Sequence, residues 1–459
     1  HGGGSAHGEG HKELTTEEEH MSFVVLTIVL VLTSLFYFVF HRDSNLKAHT
    51  WQLILTSINI FVAVEVFVTL RHLALTVCGE FANDHLLFVL LVLNLLCSIA
   101  LEAVLRRSAY SGQLDFFFTN FMYKGVLTKR VVACRTWGAI MAHIAGFASL
   151  AFWAEMQYEL HRSEYHGFVK ILLNVFIIVG AFSAHLLRMR VCKDARMRIV
   201  LLDDLVEEWE KSWLHACEEA EIEASAVALS FLIVQVLRVF IGAELPDAEG
   251  HVHGKPVEVS SHQSGAMLAC AALSLAAALL VSKFGFRFFH AHDPDDASED
   301  GVIEVSDDDA DEVSDSSRSQ NFIRGVVRPY FSLAFTSAWA HHTAAEMLVE
   351  VFVFTSAWCS MVSVMWGGRI LAIRFCRDPE NLADCGGDTV VGRIYVALMC
   401  TILALFVILL LDSIASRLPR SKQESALFFV NHMILGAGLM VGLSWEQVFH
   451  SAINNMNVL

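Results

Sequence analysis

Residues 86–105 read LLFVLLVLNLLCSIALEAVL, twenty positions that are apolar except at Asn94, Ser98 and Glu102. A helix of that length rises about 30 Å, the thickness of a bilayer's hydrocarbon core. Comparable runs lie at 22–40, 51–71, 136–156, 168–187, 224–243, 265–284, 347–368, 390–412 and 424–446, which makes ten. The six prolines, at 246, 256, 294, 329, 379 and 419, all fall between runs, so none removes a backbone donor inside one. The alternation of apolar and polar residues that a membrane barrel needs is missing. The fold class that follows is all-α, a polytopic transmembrane helical bundle of about ten spans. The competing count is eleven, because 330–370 is long enough for two passes.

Composition agrees. Hydrophobic residues make up 55% of the 459 and charged residues only 18%, against about 45–50% and about 25% in soluble chains. The formal charge of −17 sits in two short places. Residues 291–316 hold twelve acids and no Lys or Arg, and residues 1–20 hold five Glu against Lys12. The rest of the chain is close to neutral. The chain therefore reads as a lipid-embedded body with acidic appendages.

Lys and Arg set the orientation. The connections 41–50, 106–135, 188–223, 283–346 and 413–423 hold 22 of the 32 basic residues, and the alternate set holds 7. The first set is read as cytoplasmic, with both termini on the other side, in a plasma membrane or endomembrane. A second pass within 330–370 would carry Arg417, Arg420 and Lys422 across, so 330–346 reads as an amphipathic lead-in to a single pass. The first run lies between Glu17-Glu18-Glu19 and the basic Arg42 and Lys47, as in an outside-first signal anchor.

The organisation expected is an acidic, His- and Gly-rich outer tail at 1–21, then five spans over 22–187. A cytoplasmic amphipathic helix follows within 188–223, and spans six and seven occupy 224–284. A disordered acidic cytoplasmic loop covers 285–329, with the lead-in and the last three spans over 330–459. The helix at 196–217 spaces Ile199, Leu202, Leu205, Val206, Trp209 and Trp213 on one face, with Asp203, Asp204, Glu207 and Glu208 opposite. Its acidic polar face favours a protein partner over the membrane surface. Residues 291–316 are too acidic to fold and offer a second docking segment, with Ser298, Ser306 and Ser314 as candidate phosphorylation sites. Trp51 and Trp137 each open an even-numbered run, and Trp213-Leu214-His215 recurs as Trp339-Ala340-His341, a pattern that suits repeated two-helix hairpins.

Ionisable residues at mid-bilayer cost about 2.5–3.5 kcal/mol or more and are functional candidates for that reason. The even-numbered runs carry most of them, which places those runs inside the bundle and the odd ones against lipid. Glu65, His143 and His432 lie deepest. Arg238 needs a carboxylate, and Glu65 is the deepest available. His342, Glu346 and Glu350 repeat at four-residue spacing and share one helix face. Imidazole and carboxylate suit a proton or cation relay because pairing and burial tune their protonation. They also suit a divalent metal such as zinc. The plainer role is interhelical hydrogen bonding, at roughly 0.6 kcal/mol each.

Among ten cysteines only Cys78, Cys376 and Cys385 fall in outer connections, and Cys376–Cys385 is a candidate disulfide closing a short loop. Zinc-type Cys-x2-Cys spacing is absent. Enzyme motifs (Gly-x-Ser-x-Gly, His-Glu-x-x-His, a phosphate-binding Gly-rich loop) are also absent, so no enzyme activity and no cofactor are expected. The function expected is a transporter or channel for protons or small cations. One alternative is a divalent-metal transporter; another is a non-transporting scaffold that recruits cytoplasmic proteins. The partners expected are the lipid bilayer, a proton or small cation, and a cytoplasmic protein at 196–217 or 291–316, with no nucleic acid.

Overall fold

A computed structural model describes residues 16–111, 126–162, 167–200, 208–241, 260–290, 338–375, 390–417 and 420–456. Every regular element among them is a helix. These are α1 (Thr16–Val39), α2 (Ser44–Cys78), a short α3 (Glu80–Asp84), α4 (Leu86–Ser111), α5 (Val126–Arg162) and α6 (Gly167–Val200). They continue with α7 (Glu208–Phe240), α8 (Ser261–His290), α9 (Ala338–Phe375), α10 (Val390–Ala415) and α11 (Arg420–Met456). Each of the ten apolar runs falls on its own long helix. Eight of these, α2 and α4 to α10, are long and apolar enough to cross a membrane. The apolar stretch described in α1, Val25–Val39, is shorter, and α11 is diluted by Asn431, His432, Glu446 and Gln447.

Residues 196–200 complete α6, and 208–217 open α7, where Trp213 is buried; 201–207 lie outside the described residues. So do 291–316 with Ser298, Ser306 and Ser314, and so do Cys376 and Cys385. The eight described cysteines are free thiols. From Ala338 onward the lead-in is the first part of α9.

Five helices form a closed cycle of packed neighbours: α2 on α5, α5 on α7, α7 on α9, α9 on α11, and α11 back on α2. These are the five even-numbered runs. The others lie outside the ring: α4 against α5 and α7, α6 against α7, α8 against α9, α10 against α11, and α1 against α2. Burial follows this division. In the membrane-length stretches, 72% of residues are buried in α5 and 67% in both α7 and α9, against 28% in α4, 22% in α6 and 17% in α8. The outer helices expose large apolar side chains instead, such as Leu95 and Ile99 on α4, Phe176 on α6, Leu273 on α8 and Phe406 on α10. A continuous apolar exterior of this kind suits lipid and not water. At 33% and 39% buried, α2 of the ring and α10 outside it stand between the classes; one face of α2 joins the ring, while Leu55, Ile58 and Leu73 point outward.

Small residues and hydroxyls make the contacts, as expected where lipid supplies no hydrophobic drive between helices. Ser264 Oγ donates to the Ser363 carbonyl at 3.0 Å and Ser363 Oγ donates to that of Ser264 at 2.9 Å, which ties α8 to α9 twice. On α11, Gly438 and Gly442 let α2 approach closely. A Cβ on Gly438 would lie 2.6 Å from Thr56 Cγ2, and one on Gly442 would lie 2.8 Å from the Ser57 carbonyl oxygen. A side chain can swing away from such a clash, but a backbone carbonyl cannot. Gly442→Leu is therefore expected to destabilise the protein by about 1–3 kcal/mol. Gly180→Leu, where a Cβ meets nothing within 4 Å, should leave stability unchanged. Thermal unfolding of the two detergent-purified variants checks this.

Candidate functional site

The site begins on α7, where residues 218–225 read EEAEIEAS. Glu221 and Glu223 are two residues apart, hence about 200° apart around the helix, and they face opposite neighbours.

Glu221 turns toward α4 and α6. Arg196 of α6 reaches it with Nη2 at 2.8 Å and reaches Glu102 of α4 with Nη1 at 2.5 Å. Cys217 Sγ donates to Glu102 at 3.5 Å, and Arg188 Nη1 donates to Ser98 Oγ at 2.8 Å. Glu102, Cys192 and Glu221 have ligand atoms within 4.8 Å of one another, the one set among the described residues with metal-holding spacing. The Arg196 guanidinium already stands between its two carboxylates and supplies the charge a metal would bring.

One turn along, His185 of α6 is buried with both ring nitrogens engaged. Ser225 Oγ donates its one hydrogen to the Glu221 carbonyl at 2.7 Å, so at 3.1 Å it accepts from His185 Nδ1. Nε2 then accepts from Ser149 Oγ, also at 3.1 Å. The chain of hydrogen bonds ends on a backbone carbonyl. His185 joins α5, α6 and α7 and has no free valence for chemistry.

Glu223 turns the other way, into the ring. Its Oε1 lies 3.6 Å from Nε2 of His143 on α5. Glu350 of α9 stands near enough to act on Glu223 electrostatically, and Glu350 Oε1 lies 3.5 Å from His432 Nε2 on α11. Two turns back along α9, His342 Nδ1 sits 3.5 Å from Glu346 Oε2. Glu346 in turn feels Glu350, Glu218 and His432. Four helices thus contribute to one file of imidazoles and carboxylates. Side-chain exposure rises along it, from 0% at His143 and 12% at Glu223, through 13% and 15% at Glu350 and His432, to 29% at Glu346 and 47% at His342. The file is open at the end where α7 and α9 begin and shut at His143.

Of the seven sequence candidates, His143, His342, Glu346, Glu350 and His432 come together here. Glu65 and Arg238 do not. Glu65 is half-buried on α2 without a side-chain partner among the described residues, so it does not neutralise Arg238 of α7, which is partnered elsewhere. The sequence counts Glu223 with Gln235 and Arg238 among the polar residues of the sixth run, but Glu223 was not among the seven candidates. It placed Arg196 in a cytoplasmic connection and Glu102 at the boundary. The available signal was helix length: α6 and α7 run 34 and 33 residues, well past their apolar cores, and the extra turns pack against each other. Comparison of the chain with family models, with curated proteins and with solved structures finds no match.

The Arg196 triad generates a stability prediction. Arg196→Met strands Glu221, itself 2% exposed, with its charge unmatched, at an expected cost of about 3–5 kcal/mol. Replacing Glu102 and Glu221 with Leu in the same chain should recover most of that loss. Unfolding temperatures of the single and triple variants distinguish this from a role of Arg196 in bulk packing, which the triple variant would not repair.

Proposed function

We propose that this chain is a ten-pass integral membrane protein that moves a small cation through the centre of its helical ring, with both termini on the non-cytoplasmic side. One observation carries the reading: four ring helices each turn an ionisable side chain into a single file, which is graded from fully buried to half-exposed. Interhelical hydrogen bonding alone does not call for that arrangement. Serine and threonine do such work elsewhere in this bundle at lower desolvation cost, as Ser264 and Ser363 do, and His185 shows how a structural imidazole here satisfies both nitrogens. In the file, by contrast, His143 Nε2, Glu223 Oε1 and Glu350 Oε2 are buried without hydrogen-bond partners, an expensive condition for groups that serve packing only. The basic residues crowd into the connections on the open side, so a cation enters or leaves on the side read as cytoplasmic. The divalent-metal alternative has less support, because the only described cluster with metal spacing is held by Arg196.

Purified protein in liposomes, assayed for proton, Na⁺, K⁺ and Zn²⁺ flux under a clamped potential, tests the reading. Glu350→Gln removes the charge at the middle of the file and is expected to cut flux by roughly tenfold or more, equivalent to about 1.4 kcal/mol on the barrier. Glu65→Gln, outside the file, should stay close to the unmodified protein. Equal flux in all three proteins would remove the proposed path.

A further inference from the structure

His143 closes the file, and its hydrogen placement is determined. Nδ1 lies 2.7 Å from the Ala139 carbonyl oxygen. A carbonyl only accepts, so Nδ1 carries the hydrogen and the neutral ring presents a bare lone pair at Nε2. That lone pair faces Glu223 Oε1 at 3.6 Å, and neither atom has another partner. Two acceptors confront each other in a fully buried place, which is repulsive unless a cation sits on one of them. One proton resolves it: the pair becomes imidazolium–carboxylate or imidazole–carboxylic acid, neutral overall in both forms. Without the proton the pair leaves one negative charge in the bundle, where charge is costly. Farther along the file, Glu350 Oε1 lies 3.5 Å from His432 Nε2.

The surroundings leave little else to compensate. On α7 and α9, Glu219 and Glu350 both act on Glu223 with the same sign of charge. Arg196 of α6 is spent on Glu221 and on Glu102 of α4 at the far side of α7, and His185 of α6 is spent on two serines. From α2, the remaining helix packed on α5, Phe67 stacks on Phe147, one turn from His143. A zinc-like ion would want at least three protein ligands, and among the described residues no third ligand joins either pair within 4.8 Å. An alkali cation wants a shell of oxygens, and here an imidazole nitrogen occupies half of each pair.

We propose that the cargo is the proton and that His143 and Glu223 form its innermost holding site, loaded from the His342 end through Glu346 and the Glu350–His432 pair. The proposal rests on the transport reading above and narrows it. Each load is one proton taken from water at the open end and shared by an imidazole–carboxylate pair, with no other bond made or broken.

Two measurements on the full chain in liposomes test it. In the first, an internal pH-sensitive dye follows flux with proton as the only permeant cation. His143→Gln and Glu223→Gln should each lower it by about tenfold or more, and the double variant should be no worse than either single, because both remove one site. In the second, ¹⁵N-histidine NMR in bilayers should show one imidazole, absent in His143→Gln, that keeps Nδ1 protonated while Nε2 gains a proton as pH falls. In Glu223→Gln that titration should move, which requires only a folded protein. Wild-type flux in both single variants, or flux that appears only with Na⁺, K⁺ or Zn²⁺ present, overturns the proposal and leaves cation transport standing. No flux of any ion, with the NMR titration present, would remove the transport reading and keep the proton site. An Nε2 that never titrates removes the site itself.

Discussion

The rotation of α7 about its own axis is the constraint on which the centre of this molecule depends. Glu221 and Glu223 are separated by little more than half a turn, so fixing one fixes the other. Arg196 holds Glu221 with one charged hydrogen bond and Glu102 with another, and such forked contacts resist rotation better than a point charge does. With Glu221 held between α4 and α6, Glu223 has to face His143 and Glu350. A buried ion triad contributes little net stability after desolvation. Its value here is geometric, since it selects one rotational setting of a helix that apolar packing alone would leave less sharply defined.

The ring around that helix is built from close approach and not from bulk. Gly146 on α5 lies so near α7 that a Cβ would meet the Ala224 carbonyl at 3.0 Å and Val227 Cβ at 3.1 Å. Gly438 and Gly442 do the same for α11 on α2, and Gly436 for α11 on α9, where a Cβ would fall 2.8 Å from Val353 Cγ1. Tight helix pairs keep the polar file narrow and the imidazole–carboxylate distances short. Along α5 and α7 the same smallness builds an apolar wall: Ala145, Ala148, Ala151, Ala224 and Ala228 are all buried.

The existence and order of the ten long helices were legible from the apolar runs, because burial in lipid demands continuous apolarity that few other folds need. The split into inner and outer helices was legible too, from polar content alone, and α2 and α10 are partial exceptions because their burial is intermediate. Helix ends were not legible. Apolarity marks the hydrocarbon core, whereas α6 and α7 continue beyond it by packing their charged turns on each other through Arg196, Glu102 and Glu221. Glu223 was visible as a polar residue of the sixth run, but its place opposite His143 was not. Pairings across the ring, such as His143 with Glu223 and Glu350 with His432, were beyond reach because hydropathy gives a residue's depth in a run but not its direction around the helix. The expected partnership of Glu65 with Arg238 failed on that point.

The file stops where the wall begins, and that bears on how a cation would complete its crossing. Gln157 on α5 lies fourteen residues beyond His143, about 21 Å along the helix, and it is buried with only a 3.5 Å contact from Nε2 to the Leu232 carbonyl. Gln235 of α7 is buried with both side-chain polar atoms unpartnered. Between these amides and His143 the hydroxyls are turned aside: Ser149 to His185, Ser225 to the Glu221 carbonyl and Ser230 to that of Val227. Neither set of unsatisfied groups can serve the other across that stretch as it stands. A continuous pore would have no reason to interrupt its polar lining with alanines at van der Waals contact. A carrier that exposes its site to one side at a time needs such an interruption, and it needs the interruption to be separable. The contact of α5 with α7 in that stretch is made of small residues, Gly146 against Ala224 and Val227, and it is crossed by the hydrogen bonds of Gln157 to the Leu232 carbonyl and of His185 to Ser149 and Ser225.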